Sequence, residues 1–139
     1  MSRTLAIIKP DAVEGRKVGK ILDRLESEGF TVLAGRFLRL SEPEAGAFYE
    51  VHRERPFYDS LCRFMSSGPL LVLALERENA VRHLRQVIGA TDPADAEEAT
   101  IRALYAESKE RNAIHASDSD RTARQELAFF FGERELLSH

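Results

Sequence analysis

The 139-residue sequence contains one cysteine, Cys62. A lone thiol excludes an internal disulfide and a Cys-rich metal site, and it fits a reducing compartment, so a cytoplasmic location is expected. No apolar run approaches the roughly 18 residues that a membrane span needs, and Met1–Thr4 does not open a signal peptide. Neither GxxxxGKS/T nor GxGxxG occurs, so any phosphate chemistry here uses neither a P-loop nor a Rossmann turn. A GxSxG elbow is missing too, which removes the common serine-hydrolase arrangement. His52, His83, His115 and His139 lack paired ligand spacing and thiolate partners, which argues against zinc. There is no basic excess: the formal net charge is -3 and the isoelectric point about 5.8. Nucleic acid is therefore a poor candidate for the main partner. A small anion is not excluded, because a local arginine cluster can sit inside an acidic protein.

What is present, 43% hydrophobic and 31% charged residues, suits one self-sufficient domain spanning 1–139. Arg3–Lys9 reads as a strand buried on both faces and closed by Pro10-Asp11. Val18, Ile21, Leu22 and Leu25 recur at helical spacing, with Gly29 as the stop. Phe30–Leu40 reads as a second strand. Ser41-Glu42-Pro43-Glu44 is a capping-box pattern that starts a helix reaching about Val51. Phe57–Met65 reads as a short helix, Leu70–Glu76 as a third buried strand, and Asn79–Val87 as a helix stopped by Gly89. From Ala90 to Asn112 no period emerges apart from a helical turn around Asp95–Ala99, so a long loop is expected over about 89–112. Ala113-Ile114 reads as a brief fourth strand, and Ser117–Ser119 offers caps for a helix over Asp120–Phe131. This order predicts an α+β protein with a ferredoxin-like βαββαβ antiparallel sheet and covering helices. An open flavodoxin-like sheet would want a fifth strong strand.

Several residues invite chemistry, each with a plainer reading beside it. His115, between a short strand and a helix start, could attack an electrophile or simply bond the cap residues. Arg82, Arg85, Arg102 and Arg111 frame the irregular segment, where two guanidinium forks could clamp an oligophosphate or all four be surface charge. Lys9 ends an apolar strand, at a place where sites form, or is only a solvated edge there. Phe57 could stack on a flat base or pack at a helix start. Leu61, Phe64 and Met65 at helical spacing read as core.

Taken together, these residues resemble the nucleoside diphosphate kinase family over essentially the whole chain. The likeness is carried by Thr4–Val13, Phe48-Tyr49 with His52, Arg55-Pro56-Phe57, Ser67-Gly68-Pro69, Gly89–Pro93, Thr100-Ile101-Arg102 and Asn112–Ser119. The resemblance implies a phosphotransferase that moves the γ-phosphate of a nucleoside triphosphate to a nucleoside diphosphate. The transfer is ping-pong, through a phosphohistidine on His115, and maintains nucleotide pools. It implies catalytic roles for Glu126, Lys9, Tyr49 and Ser117 around that histidine. It implies nucleotide contacts from Lys9, His52, Phe57, Leu61, Arg85, Thr91, Arg102, Lys109 and Asn112. Mg2+ would arrive on the nucleotide phosphates, with no dedicated protein site. A homo-oligomer is implied, a tetramer ahead of a hexamer given the short tail Gly132–His139, with Pro93 and its neighbours as hexamer-type contacts. Two other roles remain to be separated from the kinase: a nucleotide-binding regulatory module and a nucleic-acid binder.

The sequence departs from the family pattern at Ala99, Ala103, Leu104, Lys109 and Ala116. Alanine replaces a usual glycine at 116 and before Thr100-Ile101-Arg102. If either backbone needs a positive φ, alanine there costs about 1 kcal/mol. Lys109 stands where an aliphatic residue usually covers the base, and its methylene stem could serve the same end.

Overall fold

A computed structural model describes residues 1–137. His139, one of the four histidines weighed as metal ligands, lies outside the described residues. Four strands, β1 (Ser2–Ile8), β2 (Thr31–Leu38), β3 (Leu70–Arg77) and β4 (Ile114–Ala116), form one sheet in the order β2-β3-β1-β4. Every neighbouring pair is antiparallel. β3 lies between β1 and β2, and β1 between β3 and β4, so each βαβ unit is split by a strand of the other. That is the ferredoxin-like arrangement expected from the element order.

The helices divide between the two faces. Ala6 and Ile8 of β1 point into one cluster with Ile21 and Leu25 of α2 (Val18–Ser27) and Leu84 and Ile88 of α5 (Ala80–Ile88). Leu5 and Ile7 point the other way. There they meet Ala45 of α3 (Glu42–Phe48), Met65 of α4 (Tyr58–Met65) and Leu127 of α7 (Asp120–Phe130). Burial on both faces explains why β1 and β3 read as continuous apolar runs rather than alternating ones. The Ser41 capping box is present: its hydroxyl accepts from the Glu44 amide at 3.2 Å while Glu44 accepts from the Ser41 amide at 2.8 Å.

Three expectations need correction. Pro10-Asp11 opens a short helix, α1 (Pro10–Glu14), where only a strand end was expected. Proline at its first turn costs no hydrogen bond, because that N–H would have no helical partner anyway. The helix from Ser41 stops at Phe48, and Glu50–His52 continues as a single 3-10 turn. The segment over 89–112 is not one loop. Asp92 caps a 3-10 turn at Pro93–Asp95, and Thr100 caps α6 (Ile101–Tyr105) through the Ala103 amide. The helical turn expected at Asp95–Ala99 is thus displaced to either side. Five residues are too few to show a period, so the cap was the only readable signal.

Candidate active site

β4 carries His115 at its centre, opposite Ile7 of β1. Its neighbours Ile114 and Ala116 enter the first core cluster, so strand alternation turns the imidazole to the face of α3 and α7. There the ring is held from two sides. Nε2 lies 2.9 Å from Oε1 of Glu126 on α7. Phe48 and Tyr49, at the end of α3, set their rings edge-on to it with centroids at 5.3 and 5.8 Å. Ser117 donates to the same Glu126 oxygen at 2.7 Å, and its own oxygen accepts from the Leu5 amide at 3.4 Å. Glu126 is thus tied to the central strand through a fully buried hydroxyl. Burial drives the Tyr49 phenol upward, so it stays a neutral donor beside the histidine.

A second group meets at the end of β1. The Lys9 ammonium donates to Asn112 Oδ1 and to the Glu110 carbonyl, both at 2.8 Å. Asn112 in turn donates to the Thr91 carbonyl at 3.2 Å. Burial pushes Lys9 down to about 8, partly opposed by the Asp11 carboxylate nearby. Burial raises the Asp11 carboxyl from its ordinary value, against the pull of Lys9 and of the Ala113 amide.

Two arginines approach β4 from its other side. Arg102 on α6 donates to the Ile114 carbonyl at 2.7 Å and to the Gly89 carbonyl at 3.1 Å, and its Nε has no hydrogen-bond partner. Arg85 on α5 reaches the Ala116 carbonyl at 3.5 Å. Burial first and the Arg85 charge second lower Arg102 to about 10, so Arg102 remains cationic at neutral pH. Like charges held this close are relieved by an anion. Gly89 is required here: its φ is +85°, and a Cβ on it would lie 2.5 Å from the Thr100 hydroxyl.

An aromatic series leads outward from His115. Tyr49 stacks near His52 at 6.3 Å, and His52 meets Phe57 at 5.4 Å. Phe57 is 44% exposed, a flat face open to solvent. Leu61 packs against the second core cluster, as its spacing implied, and Lys109 stands exposed on its loop. The Leu61 amide donates to the Phe57 carbonyl at 2.9 Å, whereas among the described residues no hydrogen bond draws Lys109 into the cluster.

Three contributors were not singled out from the sequence. Phe48 packs on the histidine, Asp11 accepts from the Ala113 amide at 3.0 Å, and Glu110 joins Lys9 to α4 by accepting from Ser60 at 3.1 Å. Phe48 and Asp11 adjoin Tyr49 and Lys9 in the motifs; Glu110 left no signal. Of the two alanines at usual glycine positions, Ala99 has φ +69°, whereas Ala116 lies in extended β4 and carries no such strain.

No group of three or more His, Cys, Asp or Glu side chains among the described residues could hold a metal ion. No helix among them is long and apolar enough to cross a membrane.

The family model for nucleoside diphosphate kinase matches residues 2–136. A nucleoside diphosphate kinase of a Nitratiruptor species is 53% identical over 137 residues, covering 99% of this chain and 100% of the relative. One from Geobacter sulfurreducens is 51% identical over the same length and coverage. Among solved structures, the Aquifex aeolicus nucleoside diphosphate kinase superposes with a TM-score of 0.96 at 47% identity, covering 98% of this chain and 99% of that one. A Halobacterium salinarum nucleoside diphosphate kinase in complex with CDP gives 0.95 at 38% identity, covering 99% and 92%. With a carboxylate-held histidine beside a cluster of cations on this fold, the chain belongs to the nucleoside diphosphate kinase family.

Proposed function

We propose that this chain moves the terminal phosphoryl group of a nucleoside triphosphate, typically ATP, onto a nucleoside diphosphate, with His115 as the covalent carrier. The observation that carries this reading is the 2.9 Å contact between His115 Nε2 and Glu126. A neutral imidazole has one N–H and one lone pair. A carboxylate at Nε2 holds the N–H there and leaves the lone pair on Nδ1. In the first half-reaction Nδ1 attacks the γ-phosphorus, an N–P bond forms, and the bridging P–O bond breaks to release the diphosphate. The positive charge that develops on the ring is balanced by Glu126. In the second half, a β-phosphate oxygen of the acceptor attacks the same phosphorus, and the N–P electron pair returns to Nδ1. One site serves donor and acceptor because the two half-reactions are near mirror images.

Arg85 and Arg102, with Thr91 and His52 as further ligands, are assigned to the phosphates, where fixed cations lower the cost of the loose transition state. Lys9 and Asn112 are assigned to the ribose hydroxyls, with the Lys9 ammonium also within the phosphate field. Tyr49 supplies a neutral donor near the reacting group. Phe57 provides the stack for the base, Leu61 and Lys109 its flanks; a stack reads any flat ring, which suits an enzyme that accepts purines and pyrimidines. The nucleotide is taken to enter as its Mg2+ complex. The side chains gathered at the site are mainly cationic or neutral donors, which suits phosphate oxygens rather than a bare cation. We further assign the chain to the cytoplasm, as one kinase domain over 1–139 that assembles into a homo-oligomer, a tetramer ahead of a hexamer.

The test is to incubate the protein with γ-labelled MgATP and no acceptor, then chase with an unlabelled nucleoside diphosphate. An acid-labile, base-stable label that is lost in His115→Ala and discharged by the chase is expected. A protein that takes no label is a binding module, and the proposal fails.

A further inference from the structure

Two residues before His115 the backbone adopts a conformation rare for an L-residue. Ala113 has φ +74° and is fully buried. The Ile114 amide donates back to the Asn112 carbonyl at 2.9 Å, which closes a γ-turn around Ala113. The positive-φ form of that turn is uncommon and strained, and it persists only where its surroundings over-determine it. Those surroundings are specific. The Ala113 amide donates to Asp11 Oδ2 at 3.0 Å, between residues 102 positions apart. The Ala113 carbonyl accepts from the Lys9 amide at 2.9 Å. On one side of the turn Asn112 receives the Lys9 ammonium, and on the other the Ile114 carbonyl receives Arg102.

Asp11 is costly where it stands. It is only 7% exposed, and its second oxygen, Oδ1, has no hydrogen-bond partner. A buried carboxyl with one unmet oxygen calls for an explanation, and its met oxygen supplies one. That oxygen touches neither nucleotide ligand nor nucleophile, but the one backbone amide on which the turn between them hinges.

We propose that Asp11 is a positioning residue for phosphoryl transfer: Oδ2 pins the Ala113 amide, and the γ-turn so held sets Asn112 toward Lys9 and His115 toward Glu126. This rests on the reading of His115 as the phosphoryl acceptor. The action is that of an acceptor oxygen on a backbone N–H, so an amide oxygen in the same place suffices, whereas a side chain without an acceptor does not. Glycine at 113 adopts positive φ freely and lessens the need for the pin. Misplacement of a reacting group by about 1 Å costs on the order of a hundredfold in rate, so partial loss of the turn has a measurable cost.

The experiment measures the single-turnover rate of labelling from γ-labelled MgATP in wild type, D11A, D11L and D11N, each also combined with A113G. It is run at a temperature where circular dichroism shows all of them folded. D11L fills the space without an acceptor and stands in where D11A fails to fold. Labelling is expected to slow roughly tenfold or more in D11A and D11L. D11N is expected to stay within about threefold of wild type, and A113G to restore most of the loss in D11A or D11L. Wild-type rates in D11A and D11L overturn the proposal. So does D11N as slow as D11A, which would mean that Asp11 acts through its charge on Lys9. Failure of A113G to restore the rate also overturns it. Absence of label in wild type overturns the reading of His115 itself, and this proposal with it.

Discussion

A histidine is a good nucleophile at neutral pH only when its proton is kept on the nitrogen that does not react, and the proposed mechanism gives that task to Glu126. With Ser117 donating to the same carboxylate oxygen, the Glu126 side chain has little freedom to leave the ring. Glu126→Ala is expected to lower kcat by about a hundredfold while binding is less affected, read from steady-state kinetics. Lys9 supplies a pH dependence. Its ammonium is held down to about 8 by burial, so the charge proposed to meet the nucleotide is lost as pH rises through that value. kcat/KM, which reports the free enzyme, is expected to fall above about pH 8; a flat profile to pH 10 would contradict the assignment. Its contribution to stability runs the opposite way. Between 8 and 10.5 the unfolded chain keeps the Lys9 proton that the folded one has released, so Lys9 costs the fold less as pH rises.

At the scale of elements, what was readable followed from length and capping. β1 and β3 are apolar on both faces because helices cover both, and their sequences say so without alternation. Ser41 announced α3 through its capping box. α1 and α6, each five residues long, were missed because neither spans two helical turns. α6 nevertheless delivers Arg102 to β4, so the segment that looked structureless holds part of the proposed phosphate site. Its approach is fixed by Ala99, at φ +69°, whose carbonyl accepts from Arg24 at 2.6 Å. Ala99→Gly relieves a left-handed alanine on an exposed loop. It is expected to stabilise the fold by about 1 kcal/mol in chemical denaturation, without loss of the Arg24 contact.

For the whole molecule, the net charge of -3 and the proposed anion site are compatible because the cations are gathered rather than numerous. Lys9 follows directly on β1, and Arg85 and Arg102 come from α5 and α6, which reach the backbone of β4. No stretch of sequence contains that cluster, which is why residues alone did not decide between surface charge and a phosphate clamp. The resemblance named the members of the site; only the fold shows what holds them, such as the Lys9–Asn112 pair and the turn at Ala113. β2 is an edge strand with Phe37 62% exposed, the kind of edge that a second copy covers. Sedimentation velocity is expected to show a species near four times the chain mass of 15.7 kDa, and a monomer at micromolar concentration would contradict the proposed assembly. The central claim is that His115 carries the phosphoryl group on the nitrogen Glu126 leaves free. Phosphorus-31 NMR of the phosphoenzyme formed from MgATP tests it directly. The account predicts a phosphoramidate at Nδ1 of His115 that vanishes on addition of a nucleoside diphosphate; phosphorus on Nε2, or on a serine, would contradict it.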